Sequence, residues 1–144
     1  MSRSKEEYTE EDHIDRIDAR NTALRSLYPH LRGIIVNITA ETDRTLSIEP
    51  IEKYIKLLIN YSKSFISVRF HKTKMNIFIP THIPDNNTDR IVEIRNIIQS
   101  NLGQIQNEPK MYKNSSCPEF KIDIKNTRYI NELGELLIQV INLY

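Results

Sequence analysis

Three short runs of alternating apolar and polar residues, separated by only a few positions, constrain the fold most. They are residues 53–61 (KYIKLLINY), 64–70 (SFISVRF) and 74–80 (KMNIFIP). Ile, Val, Phe and Tyr dominate these runs, and a period of two residues is typical of β-strands that bury one face. The connections are too short for a crossover helix, so the sequence predicts an antiparallel meander of three strands.

Apolar residues at helical spacing flank this block. They recur every three or four positions over residues 14–38, and again over residues 88–102 and 129–144. Such a stripe is typical of an amphipathic helix that packs on a core. The first stretch contains Pro29, which predicts a kink or a break near Leu27.

A fourth alternating run and three polar segments complete the organisation. Residues 119–125 (EFKIDIK) predict a fourth strand, whereas residues 40–50 and 104–118 contain Pro, Asn or Ser and predict connections. Residues 1–12 are charged and predict a flexible tail, followed by a single domain over residues 13–144. The sequence therefore predicts an α+β fold, with a four-stranded, mainly antiparallel sheet backed by N- and C-terminal helices.

The alternation gives each predicted strand a buried and an open face. The buried face is predicted to carry the apolar set Ile55, Leu57, Ile59, Ile66, Val68, Phe70, Met75, Ile77, Ile79, Phe120, Ile122 and Ile124. The open face is predicted to carry the mixed set Tyr54, Lys56, Phe65, Arg69, His71, Asn76, Phe78, Lys121, Asp123 and Lys125. The sequence leaves open whether the predicted helix over residues 88–102 covers this second face.

The predicted open face has a high local charge. Residues 53–74 contain no acidic residue and the bases Lys53, Lys56, Lys63, Arg69, Lys72 and Lys74, in a chain of formal net charge +1. Aromatic side chains interleaved with cations on an open sheet are typical of surfaces that bind single-stranded nucleic acid. We therefore predict a nucleic-acid contact through Tyr54, Lys56, Phe65, Arg69, His71, Phe78, Lys121 and Lys125. The alternative is that these side chains only pair across strands and cover neighbouring backbone.

Composition and motifs disfavour several functional classes. A net charge of +1 is too small for a strongly basic protein that wraps nucleic acid. No apolar run approaches the roughly 20 residues that cross a bilayer, and no secretory signal is evident, so we expect a cytoplasmic protein without a membrane partner. The lone Cys117 cannot form an intramolecular disulfide and is interpreted as a spectator thiol.

The sequence also predicts neither a metal site nor a cofactor. The four histidines His13, His30, His71 and His82 lack the spacing of zinc ligands. There is no Gly-rich phosphate loop and no nucleophile elbow. We therefore interpret the chain as a binding module rather than an enzyme.

One pattern keeps a metal-dependent nuclease as the least favoured alternative. Pro84-Asp85 precedes Glu119-Phe120-Lys121, and in restriction-type nucleases an Asp and a Glu hold Mg²⁺ while a Lys positions water. The residue types match that chemistry. Pro84-Asp85, however, lies in a predicted turn rather than on a strand beside the one that carries Glu119 and Lys121.

The order of several short segments is similar to that of a known family. The segments are LRSLY (24–28) with Leu31, Ile34 and Ile35, KYI (53–55), SFISV (64–68), MNIFI (75–79) and EFKIDI (119–124), ahead of a helix ending at Tyr144. Over residues 21–144 the chain resembles a small prokaryotic domain family of unknown function. That family is sometimes labelled a predicted transport protein, and its members occur alone or at the C-terminus of restriction-type and other phage-defence endonucleases.

The resemblance implies an accessory or recognition module, because the family offers no catalytic residues to carry over. The sequence NSSCP at residues 114–118 stands where such domains often have a Gly-rich aromatic segment. Any function that depends on that segment is therefore not implied for this chain.

Two function classes follow. The first is a non-enzymatic module of prokaryotic or phage-defence systems that contacts nucleic acid through the basic and aromatic sheet face. The second is a protein-interaction module, for instance a counter-defence or immunity-type inhibitor, or one that sequesters a nucleotide signal. In that case Phe65 and Phe78 would be exposed contact residues. The sequence allows a homodimer in either case.

Overall fold

The computed structural model describes residues 8–60, 63–83, 88–104, 108–112 and 115–144. Within these ranges the strands are β1 (Leu46–Pro50), β2 (Ile55–Ile59), β3 (Lys63–Phe70), β4 (Met75–Pro80), β5 (His82–Ile83), β6 (Thr88–Asp89) and β7 (Glu119–Ile124). The helices are α1 (Glu10–Ile14), α2 (Thr22–Glu41), α3 (Ile91–Leu102) and α4 (Ile130–Ile141). The main sheet has the order β1-β2-β3-β4-β7 with every pair antiparallel, and β5 pairs separately with β6.

The predicted α+β class is confirmed, but the main sheet has five strands rather than four. The additional strand, β1, lies within residues 40–50, which we predicted to be a connection. Ile48 pairs with Leu57, and Glu49 pairs with Lys56. Pro50 cannot donate a backbone hydrogen bond, which a strand at the edge of a sheet tolerates. The proline that indicated a loop therefore ends an edge strand.

Helices cover one face of the main sheet. Helix α4 packs against both α2 and α3, and its residues Leu133, Leu136, Leu137, Val140 and Ile141 are buried. All twelve apolar residues predicted for the inner face are buried in this core, which confirms that assignment. None of the helices in the described ranges has the length and apolar character needed to cross a bilayer.

The helical stretch over residues 14–38 is not broken near Leu27, where we predicted a kink or a break. Helix α2 continues through Pro29, whose missing N–H removes one helical hydrogen bond. Buried residues on both sides of Pro29, including Leu27 and Leu31, hold the helix against the sheet and offset that loss. The break lies earlier instead, where the Asn21 side chain accepts a 3.1 Å hydrogen bond from the Leu24 N–H and caps α2.

A short helix begins inside the segment that we predicted as a charged tail. Thr9 and Asp12 form a reciprocal capping box at the start of α1, with hydrogen bonds of 2.9 and 3.1 Å. The Glu10 carboxylate accepts hydrogen bonds from the Tyr28 hydroxyl at 2.5 Å and from Arg32 Nη1 at 2.9 Å. These contacts attach α1 to α2, while residues 1–7 lie outside the described ranges.

A β-bulge in β3 changes the predicted faces. Leu57 lies opposite Ile66, but Leu58 lies opposite Ser64, so the register skips Phe65. A bulge interrupts the two-residue alternation, and Phe65 turns inward beside Ile66. Phe65 is fully buried in the core. The prediction that it lies on the open face is therefore wrong.

Helix α3 lies in the helix layer beside α4. It begins three residues later than predicted, because Thr88 and Asp89 pair with β5. It ends at Gly103 in the left-handed conformation (φ 81°), where L side chains are disfavoured. The sheet face opposite the helices is called the outer face from here on. It is approached instead by residues 110–112 and 115–118, which lie near β7 and β4.

Candidate functional site

The outer face carries a row of three aromatic rings. Tyr54 lies edge-on to Phe78 with the ring centroids 5.7 Å apart, and Tyr112 lies edge-on to Phe78 at 5.1 Å. Phe78 is only 5% exposed, whereas Tyr54 and Tyr112 are half-buried. Phe78 therefore supports the two tyrosines, which present the accessible aromatic surface.

Cations stand beside this row. The Arg69 guanidinium carbon lies 5.9 Å from the centroid of the Tyr54 ring, and Lys110 Nζ lies 5.2 Å from that of Tyr112. Cross-strand pairing places Lys121 opposite Phe78. A cation over an aromatic ring at an exposed site is worth about 0.5–1 kcal/mol. The arrangement thus orients rings and cations towards the same surface.

A cavity of about 240 Å³ adjoins the row. Its aromatic wall consists of Tyr54, Phe78 and Tyr112. Its polar lining consists of Lys56, Ser64, Ser67, His82, Ser115, Ser116, Cys117 and Glu119. Pockets for drug-sized ligands measure about 300–1,000 Å³, so this cavity has room for a single small ring system.

Glu119 is the carboxylate of this cavity. The Ser115 hydroxyl donates a 2.6 Å hydrogen bond to Glu119 Oε1. Burial raises the pKa of Glu119, and the Ser115 hydrogen bond and the positive charge of Lys56 partly counteract that increase. Backbone hydrogen bonds in both directions join Glu119 to Lys110, at 2.9 and 3.1 Å. The backbone pairing of Lys110 with Glu119 places Tyr112, two residues later, over the outer face.

The hydrogen bonds of Thr81 define the tautomer of His82, which lines the cavity. The Thr81 hydroxyl donates a 2.7 Å hydrogen bond to the Pro118 carbonyl oxygen, and Thr81 Oγ1 lies 3.2 Å from His82 Nδ1. Since a hydroxyl has one hydrogen, His82 Nδ1 must be the donor in the second contact. In the neutral imidazole, Nε2 is then an acceptor.

The Tyr112 hydroxyl is buried and has no hydrogen-bond partner among the residues that the structure describes. Burial raises the pKa of Tyr112, and the negative charges of Asp123 and Glu119 add to the increase. The group therefore remains a protonated donor at neutral pH. The hydroxyl has almost no accessible surface, so Tyr112 contributes its ring rather than its hydroxyl to the site.

A hydrogen-bonded network occupies the other end of the outer face. His71 Nε2 lies 2.8 Å from Asn76 Oδ1, and Asn76 Nδ2 donates to Asp123 Oδ1. Lys74 Nζ lies 3.9 Å from the same Asp123 oxygen. Asn76 is buried, so the network stabilises the sheet, and His71 is already engaged within it.

Acidic residues from neighbouring strands reduce the local charge that the sequence indicated. Glu49 on β1 lies opposite Lys56, and Glu119 on β7 interacts electrostatically with Lys56. Asp123 lies near Lys74. The high positive charge of residues 53–74 is therefore a property of that segment rather than of the assembled surface.

The structure brings together five of the eight predicted contact residues: Tyr54, Lys56, Arg69, Phe78 and Lys121. Phe65 lies in the core, and His71 belongs to the network around Asn76. Lys125 follows the end of β7 and lines a different hollow, beside Leu102, Tyr129 and Leu133.

Sequence reasoning missed Tyr112 and His82 as parts of this site, and considered Glu119 only as a metal ligand. The available signal was an aromatic residue, Tyr112, inside an otherwise polar segment. The contact with Phe78 joins residues far apart in sequence, so local alternation could not show it. Cys117 lines the cavity but remains interpreted as a spectator thiol.

The nuclease pattern is only partly visible, because Pro84 and Asp85 lie outside the described residues. Glu119 and Lys121 lie on β7 as predicted. Across the ranges that the structure describes, no group of three or more His, Cys, Asp or Glu side chains is arranged to hold a metal ion.

In the comparisons with known proteins, no family model, curated protein or solved structure matches this chain.

Proposed function

We propose that this protein is a non-enzymatic binding module whose outer face contacts single-stranded nucleic acid. The observation that carries the proposal is the row of Tyr54, Phe78 and Tyr112, flanked by cations and adjoining a cavity. Unpaired bases stack on aromatic rings while cations contact the phosphates. A duplex hides its base faces, so single strands are the expected ligand.

The contacts are assigned to the two half-buried tyrosines rather than to the phenylalanines. Phe65 is in the core and Phe78 lies beneath its neighbours, whereas Tyr54 and Tyr112 reach the surface. A stacked base is worth about 1–3 kcal/mol, as measured by substitution of its aromatic partner with alanine. The nearby cations Arg69, Lys110 and Lys121 are assigned to the phosphates, whereas Lys56 lies in the cavity lining.

The acids on this face predict a moderate salt dependence. For a single strand, the logarithm of the binding constant falls with that of the salt concentration by about 0.7 per neutralised phosphate. Three cations would give a slope of roughly −2, and the neighbouring Glu49, Glu119 and Asp123 make it shallower. Stacking, rather than counterion release, then supplies much of the affinity.

The resemblance to accessory domains of prokaryotic and phage-defence nucleic-acid systems agrees with a module of this kind, and that setting is part of the proposal. The protein-interaction alternative loses the contact residues named for it, because Phe65 and Phe78 are buried. Among the exposed apolar side chains, Val36 lies on α2, Val92 lies on α3, and Met111 lies between α3 and β7. Among the described residues, no observation favours a protein contact over nucleic acid.

Fluorescence anisotropy tests the proposal. Labelled oligo-dT and oligo-U of about ten nucleotides should bind at about 50 mM NaCl, and a duplex of the same length should bind more weakly. Tyr54→Ala and Tyr112→Ala should each weaken binding about tenfold. Arg25→Ala is the matched control for loss of a cation, because Arg25 lies on α2 and pairs with Asp15.

The control should bind as the wild type does, and thermal melts should show that each variant is folded. Absence of binding to either oligonucleotide at low salt would overturn the proposal. Equal weakening by Arg25→Ala and by Tyr112→Ala would also overturn it, because binding would then not depend specifically on the outer face.

A further inference from the structure

The cavity beside the aromatic row has a distinctive set of hydrogen-bonding groups. Glu119 supplies acceptors and Lys56 supplies donors, and His82 also lines the cavity. With about 240 Å³ of space, the cavity accommodates one planar ring system but not a second. It therefore suits a single heteroaromatic ring that has N–H donors on one edge and an acceptor on another.

The Glu119 carboxylate can bind two adjacent donors at once. Ser115 donates to Oε1, and an ionised carboxylate offers about four acceptor positions over its two oxygens. A ligand with two neighbouring N–H groups can thus bridge both oxygens, as an Arg side chain does. The hydrogen bond from Ser115 holds the carboxylate in one orientation for that purpose.

We propose that this cavity takes a single guanine base, whose N1–H and exocyclic N2 amine donate to the Glu119 carboxylate. The inference rests on the proposed function of the outer face and names the base that it recognises. Among the four bases, guanine alone has two adjacent N–H donors on its Watson–Crick edge. Adenine and cytosine place a ring acceptor beside their amine, and uracil or thymine has a single ring N–H between two carbonyls.

The remaining lining agrees with the other edges of guanine. Its O6 and N7 atoms are acceptors, and Lys56 is a donor on the cavity wall. The rings of Tyr54 and Tyr112 can contact the base by stacking or by an edge-to-face arrangement. A free guanine nucleotide carries the same base as a guanine within a strand, so the experiment must compare the two sources.

The ligand-side test replaces one residue of a labelled oligo-dT with dG, dA, dC or deoxyinosine. Deoxyinosine keeps the N1–H and O6 of guanine and lacks only the N2 amine. We expect the strand with dG to bind about tenfold more tightly than each of the other strands. Because this comparison uses the wild-type protein, it does not depend on the folding of a variant.

The protein-side test uses Glu119→Gln, with Glu49→Gln as its matched control. Glu49 also lies on the outer face opposite Lys56, but it does not line the cavity. Glu119→Gln should abolish the preference for dG and retain binding to plain oligo-dT. Glu49→Gln should retain both, and thermal melts should show that both variants are folded.

The outcomes separate the two proposals. Equal affinity for the dG and deoxyinosine strands, with oligo-dT bound, overturns the guanine assignment and leaves the proposed function in place. In a calorimetric titration, binding of GMP over IMP that is sensitive to Glu119→Gln, without binding of any oligonucleotide, supports the cavity assignment and overturns the strand contact. Binding of neither nucleotide nor strand overturns both.

Discussion

The Tyr144 hydroxyl donates a 2.6 Å hydrogen bond to the backbone carbonyl oxygen of Ser64. Ser64 lines the cavity on the outer face, while the next residue, Phe65, lies in the core and contacts the Tyr144 ring edge-on at 6.0 Å. Burial raises the pKa of Tyr144, so the hydroxyl remains a donor at neutral pH. The segment after α4 thus holds the bulge that takes Phe65 off the outer face.

Substitution Tyr144→Phe tests the contribution of that hydrogen bond. It removes the hydroxyl and keeps the ring against Phe65, so we expect a loss of about 0.5–1.5 kcal/mol in the free energy of unfolding by urea. Tyr129→Phe is the control, because Tyr129 is 46% exposed. Equal stability of Tyr144→Phe and the wild type would contradict this account of the bulge.

Removal of residues 140–144 should unfold or aggregate the protein. Val140 and Ile141 are fully buried against the sheet, and Tyr144 holds the bulge. Each large-to-small change at such a buried site costs about 2–5 kcal/mol, a large share of the 5–15 kcal/mol by which domains are stable. A truncated protein with an unchanged melting temperature would show that α4 is not part of the core.

The N-terminal segment, which the sequence indicated to be dispensable, should contribute to stability through Glu10. Glu10→Ala removes the acceptor of the Tyr28 hydroxyl and of Arg32, and should cost about 1–2 kcal/mol in the free energy of unfolding. Glu11→Ala, at an exposed position of the same helix, should have little effect. Identical unfolding curves for the two variants would mean that α1 does not stabilise α2.

Substitutions at Phe65 and at Tyr54 should have different effects on stability and on binding. Phe65→Ala empties a fully buried site and should cost about 3–5 kcal/mol, whereas the half-buried Tyr54 should lose binding with a smaller loss of stability. Thermal melts and anisotropy on the same samples give both quantities. A stable Phe65→Ala variant that has lost nucleic-acid binding would indicate that Phe65 lies on the outer face and would contradict its burial.

The parts of the fold that depend on local alternation were predictable. Strands β2, β3, β4 and β7 and their inner residues follow from a period of two. Strand β1 was missed because Pro50 resembles a turn signal, and only the sheet order shows that it lies at an edge. The inward turn of Phe65 depends on a register shift between two strands, which neither strand shows alone.

The candidate site was less predictable because it is assembled from distant segments. The cross-strand contacts of Tyr54, Phe78 and Lys121 follow from the meander and the late strand. Tyr112 and His82 join them through contacts with Phe78 and Thr81 that no spacing rule indicates. The outer face is also less positively charged than residues 53–74 indicate, because Glu49 and Asp123 join it from strands outside that segment.

Glu119 should make stability depend on pH. Because burial raises its pKa above that of the unfolded chain, the favourable contribution of the group is fully present below the ordinary Glu pKa. That contribution is lost as the pH rises through the raised value. Glu119→Gln cannot ionise, so its melting temperature relative to the wild type should increase between about pH 4 and about pH 7. A difference that is constant over this range would contradict the burial of the carboxylate.

Chemical-shift mapping by NMR tests the central claim most directly, because it locates the contact surface residue by residue. On titration of ¹⁵N-labelled protein with oligo-dT that contains one dG, we predict amide shift changes at Tyr54, Lys56, Tyr112 and Glu119 and little change along α2 and α4. Shift changes concentrated on the helices, or their absence on the outer face at saturating oligonucleotide, would contradict the claim that this face of the sheet is the binding surface.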